Sequence, residues 1–306
     1  MFSKVHEVAK QLNQVIIGKE TQIQQALVCL LAGGHLLIED VPGVGKTTLA
    51  HALAISLGLK FNRLQFTSDL LPTDVIGVSI FEREKGQFVF HPGPIFSQVL
   101  LADEINRATP KTQSALLEAM EEQQVSAEGQ TRQLPSPFFV IATQNPTHQV
   151  GTFTLPESQL DRFLMCLSLG YPDAAAERAL LMGEDRRSLL RSMSAIMHSD
   201  ELIEIQAKVK SIHTSPALID YIQKLAQASR ESKNFAEGMS PRAAIALLQA
   251  SKAWAALEGR DHVIPEDVQA VLVPVIAHRL RPLKAVSGKA NASHDLLIQL
   301  MQEIPV

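Results

Sequence analysis

The stretch His35–Ala50, HLLIEDVPGVGKTTLA, constrains this chain more than any other. An apolar run of strand length leads into Asp40-Val41-Pro42-Gly43-Val44-Gly45-Lys46-Thr47, and helix-forming residues follow. Strand, glycine-rich loop and helix in that order make a phosphate-binding turn. Gly43 and Gly45 let consecutive backbone N–H groups face inward, and the new helix aims its positive end at the same anion. Lys46 adds a point charge for the β and γ phosphates. The Thr47 hydroxyl can complete the shell of a Mg²⁺ that keeps most of its waters. Pro42, Gly43, Val44, Gly45, Lys46, Thr47 and Thr48 are therefore the candidate nucleotide contacts. The pattern G-x-x-x-x-G-K-T places glycine first, and Asp40 stands there instead. A glycine-rich connection without a ligand is the plainer alternative; the apolar strand before the loop and the helix after it favour the phosphate.

A second apolar run, Val99–Ala102, ends in two carboxylates, Asp103 and Glu104. Parallel strands are buried on both faces and collect ligands at their carboxyl ends. Asp103 is thus placed to join Thr47 around Mg²⁺, and Glu104 to orient and deprotonate an attacking water. Two acids capping the next helix would explain this segment alone, but not its company with a phosphate loop. A third run, Phe138–Ala142, closes on Thr143-Gln144-Asn145-Pro146, where Asn145 is the candidate to hydrogen-bond the γ phosphate or the water. Upstream, Val15-Ile16-Ile17-Gly18 forms an apolar turn suited either to covering an adenine ring or to ordinary packing.

The rest of the chain reads as alternating strands and helices, then helices alone. Residues 4–14 and Glu20–Leu31 carry helical spacing, with Gly33-Gly34 as a stop, and Phe61–Phe66 reads as a strand. Thr109-Pro110, Ser215-Pro216, Ser240-Pro241 and Ile264-Pro265 each open an apolar-periodic stretch. The pattern changes near Pro172, which divides the chain at 171/172. Across 306 residues, 28 basic against 32 acidic side chains leave −4, so no global basic field draws nucleic acid or an anionic membrane. The N-terminus lacks an apolar leader, and no run of eighteen apolar residues occurs. Cys29 and Cys166, without metal-ligand spacing, read as buried thiols of a reducing cytoplasm. Trp254 reads as core.

Taken together, Ile38–Thr47, LLADEINRA at Leu100–Ala108, FFVIATQNP at Phe138–Pro146, LPESQLDRF at Leu155–Phe163 and MSPRA at Met239–Ala243 resemble the MoxR family of AAA+ ATPases. The resemblance implies an α/β nucleotide-binding domain with a five-stranded parallel sheet over residues 1–171. A smaller all-helical lid over 172–306 follows. It implies ATP and Mg²⁺ as cofactors and a homo-oligomeric ring, usually of six, with nucleotide between subunits. By position Asn145 matches the first sensor, Arg242 the lid arginine that touches the γ phosphate, and Arg162 the arginine finger that reaches a neighbour's nucleotide. Arg162 could instead pair with Asp161 or Glu157, and Arg107 could serve across the interface.

Two inserts resemble the pore-facing hairpins of this branch. One spans residues 79–96, around Phe81, Phe88 and Phe90, and the other residues 124–134. Their mixed charges suit a protein client better than a phosphate backbone. The expected activity is ATP hydrolysis that drives a chaperone-like remodeller, with partners carrying von Willebrand factor A domains implied by the family. The alternatives are a nucleotide-gated switch with little turnover, a magnesium-chelatase-like metal-insertion motor, and a nucleic-acid motor that the acidic balance disfavours.

Overall fold

The computed structural model describes residues 2–84, 86–145, 152–183, 186–283 and 292–305. Lys85 and Pro146, both within the motifs above, lie outside the described residues. Helices α1 (Phe2–Val15) and α2 (Glu20–Leu31) come first, then strand β1 (Leu36–Glu39), helix α3 (Lys46–Ser56), strand β2 (Phe61–Gln65) and the short α4 (Pro72–Ile76). A hairpin, β3 (Gly77–Glu82) and β4 (Gln87–Pro92), precedes β5 (Val99–Asp103) and α5 (Pro110–Glu122). A second hairpin, β6 (Gln124–Ala127) and β7 (Gln130–Gln133), leads to β8 (Phe139–Gln144), α6 (Glu157–Leu160) and β9 (Met165–Leu167). The later elements are helical: α7 (Ala174–Met182), α8 (Arg186–Ser192), α9 (Ser199–Lys210), α10 (Pro216–Glu231), α11 (Pro241–Leu257), α12 (Pro265–Ile276) and α13 (Ala292–Glu303).

Five parallel strands form the sheet in the order β2-β5-β8-β1-β9. Period-two alternation divides their side chains between two cores. Leu36, Ile38, Val99, Leu101, Phe139 and Ile141 face one apolar cluster. Leu37, Leu100, Ala102, Val140 and Ala142 face the other, with Leu116, Leu117 and Met120 of α5. Every residue of β5 and β8 is buried, as expected of central parallel strands.

The prolines mark helix starts by different devices. Ser215 and Ser240 accept from the N–H groups of Leu218 and Ala243 at 3.2 and 3.0 Å. Ile264 has no such acceptor. Asp267 instead reaches back to the Ile264 N–H at 2.9 Å and is itself held by Arg260.

Local spacing is silent about how the ends of the chain meet. Val5, Val8, Leu12 and Val15 form the buried seam of α1. That seam and α2 belong to one continuous core with α9–α12, so the first two helices connect the sheet to the later helices. The boundaries also shift. Helix α1 begins at Phe2 and runs to Val15, the strand expected to end at Phe66 ends at Gln65, and β8 continues through Gln144. Cys29 is buried but Cys166 only half so; Trp254 packs against the core while partly exposed.

Leu12, fully buried on α1, tests whether that helix is integral. Leu12→Ala is expected to lower unfolding stability by about 2–5 kcal/mol in a urea titration. A loss under about 1 kcal/mol would mean that α1 docks loosely.

Candidate active site

Three parallel strands end side by side and deliver the chemistry. Glu39 of β1 stands opposite Gln144 of β8, and Ala142 opposite Ala102 of β5. Asp40, Thr143–Asn145 and Asp103–Glu104 therefore leave the sheet along one carboxyl edge.

Gly43 and Gly45 have φ of 88° and 97°, the region that side chains avoid. A Cβ on either would meet nothing within 4 Å, so conformation rather than crowding calls for glycine, and the turn is open on that side. Helix α3 starts at Lys46, leaving its first N–H groups without intrahelical partners. The Lys46 ammonium donates to the Asp40 and Val41 carbonyls at 2.6 and 3.2 Å and to Asn145 Oδ1 at 3.4 Å. All three acceptors are neutral. Burial pushes its pKa below the usual lysine range, against the opposing pull of Asp40, Asp103 and Glu104. A partly desolvated ammonium among neutral oxygens above open N–H groups is a receptor for an anion.

Asp40 explains its own departure from the glycine pattern. Its Oδ1 accepts from the Val41 N–H at 2.8 Å, and its Oδ2 accepts from the Gly170 N–H at 2.6 Å and the Ser168 hydroxyl at 3.1 Å. The carboxylate staples the phosphate loop to the chain leaving β9. The Ile16–Gly18 turn abuts the same segment. Gly18 has φ 69°, and a Cβ there would fall 2.8 Å from that of Ala176; Lys19 Nζ donates to the Tyr171 carbonyl at 2.9 Å.

Glu104 precedes a 3₁₀ turn, Ile105–Arg107, without capping it through its side chain, and Thr109 caps α5. Asp103 Oδ1 accepts from the Thr143 hydroxyl at 2.6 Å, and Oδ2 pairs with Arg63 at 2.6 Å. Glu104 has φ 56°, a costly backbone for a side-chain-bearing residue. Its N–H donates to the Thr143 oxygen at 2.9 Å, and its carboxylate meets Arg107 at 2.7 Å and Asn145 Nδ2 at 3.4 Å. Arg107, considered above for a role between subunits, here holds Glu104 of its own chain. Thr47 and Asp103 offer hard oxygen donors that suit Mg²⁺. Among the described residues no cluster of three or more His, Cys, Asp or Glu could hold a metal.

Arg162 and Arg242 lie elsewhere. They line a cleft with Gly33, Gly34 and His35, before β1 begins, whereas Asp40 follows its end. Five residues of extended chain separate the two places by about 16 Å. Arg162 Nη2 lies 3.0 Å from Glu121 Oε2, not on Asp161 or Glu157. Arg242 Nη2 lies 3.3 Å from Glu121 Oε1, and its Nε 3.6 Å from Asp161 Oδ2. The lid arginine expected at the γ phosphate thus sits beside Arg162 rather than beside Lys46. Beneath them His35 is locked between the Val140 N–H and the Met120 carbonyl, and burial pushes its pKa down to about 4.

Sequence reading missed Thr143, Arg63 and Glu121. Thr143 was within reach, because aligning the two apolar runs sets it opposite Asp103. Glu121 had no signal, lying 41 residues before Arg162 and 121 before Arg242.

The hairpins touch each other. Glu128 accepts from the Ser79 N–H at 3.1 Å and from the Ser79 hydroxyl, and the Arg132 guanidinium lies 3.8 Å over the Phe90 ring. Beyond that junction Phe81 and Phe88 pack edge to face at 5.3 Å, with Phe88 72% exposed.

Residues 35–165 match the family described as "ATPase family associated with various cellular activities (AAA)", and residues 227–296 match "AAA lid domain". The chain is 45% identical over 300 residues to YeaC of Bacillus subtilis, covering 98% of this chain and 94% of that protein. It is 39% identical to "Chaperone MoxR1" of Mycobacterium tuberculosis, over 92% of this chain and 77% of that one. It is 35% identical to "Protein MoxR" of Paracoccus denitrificans, over 97% and 94%. A crystal structure from Cytophaga hutchinsonii, 36% identical, superposes with a TM-score of 0.89 over 99% of this chain and 95% of that chain.

Restoring glycine at the first loop position should harm this protein. Asp40→Gly leaves the Gly170 N–H and the Ser168 hydroxyl without their charged acceptor, and a loss of about 1–3 kcal/mol is expected in thermal melts. Unchanged stability would mean that the staple adds nothing to the hold on the loop.

Proposed function

The chain belongs to the MoxR family of AAA+ ATPases, and from that premise we propose that it hydrolyses ATP in sites shared between subunits of a homo-oligomeric ring, six being the family's usual number. The observation that carries this reading is the separation within one chain. Lys46, Asp103, Glu104 and Asn145 gather at the carboxyl edge of the sheet, and Arg162 and Arg242 at its opposite edge. One chain then owns two half-sites, and a neighbour completes each. On this reading Arg242, like Arg162, serves the neighbour's nucleotide.

The roles follow from the chemistry. Pro42 to Thr48 cradle the phosphates through backbone N–H groups, and Lys46 exchanges its carbonyl partners for phosphate oxygens. Ile16, Ile17 and Gly18, beside the same 168–176 segment as the loop, cover the base. Thr47 and Asp103 hold Mg²⁺, which when bound draws charge from the β and γ phosphates. Glu104, positioned by Asn145 and Arg107, takes a proton from the water that attacks the γ phosphorus as the bond to the β-phosphate oxygen breaks, leaving ADP and phosphate. The neighbour's Arg162 and Arg242 stabilise the charge that builds on the transferred group.

The work is spent on proteins. Exposed Val78, Ile80, Phe81 and Phe88 on the first hairpin give an apolar grip with few positive charges. A remodelling role in assembling protein complexes fits that surface, and partners with von Willebrand factor A domains are the class implied by the family. Among the described residues no helix is long and apolar enough to cross a membrane, and work in the cytoplasm is part of this reading.

The test is ATPase rate against protein concentration, with assembly followed by light scattering. Specific activity should rise as the ring forms, and a rate independent of concentration from a monomer would move the nucleotide-gated switch ahead. Glu104→Gln should keep ATP bound while turnover falls by about 10²-fold or more. Turnover equal to wild type would remove Glu104 as the base.

A further inference from the structure

Five charged side chains alternate at the cleft before β1: Arg162, Glu121, Arg242, Asp161 and Arg279. The innermost is fully engaged. Arg279, with a side chain only 6% exposed, pairs with Asp161 at 2.7 Å and donates to the carbonyls of Asp161, Phe163, Leu164 and Val275. It anchors the turn that carries Arg162. The outer pair differs. Arg162 and Arg242 are 26% and 50% exposed; Arg162 meets Glu121 through Nη2, and Arg242 meets Glu121 through Nη2 and Asp161 through Nε, so among the described residues most of their five N–H donors face no carboxylate.

Glu121 joins two parts of the fold at this point. It lies in the last turn of α5, beneath the sheet, while Arg242 lies in the first turn of α11 among the later helices. Its two oxygens each take a different guanidinium, Oε2 that of Arg162 and Oε1 that of Arg242. Two guanidiniums this close repel each other, and each is a long side chain with rotamer freedom to lose. A shared carboxylate offsets the repulsion and fixes their spacing. Three cations against two carboxylates leave the cluster one positive charge in excess, so it still attracts an anion. Carboxylate and phosphoryl oxygens accept from a guanidinium in the same forked geometry. A pair spaced by one carboxylate is therefore spaced for one phosphoryl group.

We infer that Glu121 is a positioning residue for phosphoryl transfer in the neighbouring subunit: it holds Arg162 and Arg242 as one double clamp for a single terminal phosphate. This rests on the shared-site reading above, and the two can fail separately. Glu121 acts through the arginines and touches no reacting atom. Its helix begins just past the Glu104 turn, where Gln113 Nε2 donates to the Ile105 and Ala108 carbonyls at 3.2 and 3.1 Å. One rigid element thus spans from a chain's own acidic pair to the clamp it offers its neighbour.

The test compares Glu121→Gln, Glu121→Asp and Arg162→Ala, alone and in rings co-purified through two tags with Glu104→Gln subunits. Glu121→Gln keeps the shape and removes the charge. Expected are kcat lower by about tenfold or more, an unchanged Kd of the isolated subunit for a fluorescent ATP analogue, and partial recovery in Glu121→Asp. In mixed rings Glu104→Gln subunits lend intact clamps to the intact Glu104 of Glu121→Gln subunits, so activity should exceed the sum of the two parents. Wild-type or raised kcat in Glu121→Gln while Arg162→Ala loses activity would overturn the role of Glu121 and leave the shared site standing. So would a reduced kcat that mixing fails to raise while Arg162→Ala is rescued. If mixing rescues neither Arg162→Ala nor Glu121→Gln, the shared-site reading itself falls and the clamp with it.

Discussion

Parallel pairing on both sides of Leu36–Glu39 is the constraint from which the rest follows. Leu36 lies between Ile141 and Met165, and Ile38 between Thr143 and Leu167. Because neighbours run in the same direction, every polar residue that ends a strand emerges at one edge, and the connections that begin strands meet at the other. A four-residue strand sets the distance between them. The phosphate loop and the acidic pair occupy one edge, and the arginines the other. No rotamer change carries a guanidinium across about 16 Å of sheet. On the proposed reading a second copy supplies the guanidiniums, and the core stays intact.

Within the loop edge, buried charge is managed by partners rather than avoided. The Thr143 hydroxyl donates to the Asp103 carboxylate and accepts from the Glu104 backbone N–H, so a single side chain ties together the two acidic residues. Arg63 neutralises one, Arg107 the other. These pairs offset the penalty of carboxylates near a low-dielectric edge, and they help hold the unusual backbone of Glu104. Lys46 is treated differently: burial weakens its ammonium, and among the described residues its acceptors are neutral oxygens. A phosphate is a better partner than any it has.

The helical region is less independent of the sheet than a division at residue 171 suggests. Helices α1 and α2 share one apolar core with α9–α12, and Arg279 reaches back to cap the carbonyls before β9. Arg279 thereby ties this region to the turn that bears Arg162. Ser79–Glu128 and Arg132–Phe90 lock the two hairpins to each other. A displacement of one is passed to the other.

The local pieces were legible in the residue order alone. Proline at helix starts, glycine at positive φ and unbroken apolar runs act over a few residues, and the five motifs carried the family. Lys46, Asp103, Glu104 and Asn145 were legible because each closes a strand or opens a helix. The rest depends on contacts between residues far apart in the chain. Asp40 looked like a flaw in a motif until Gly170, 130 residues away, proved to be its partner. Arg162 and Arg242 could be matched to motifs, but their meeting on Glu121 depends on the packing of α5, α6 and α11. Spacing encodes which face of an element is buried. It does not encode which distant side chain meets that element, since long-range pairing is chosen by the packing of whole surfaces.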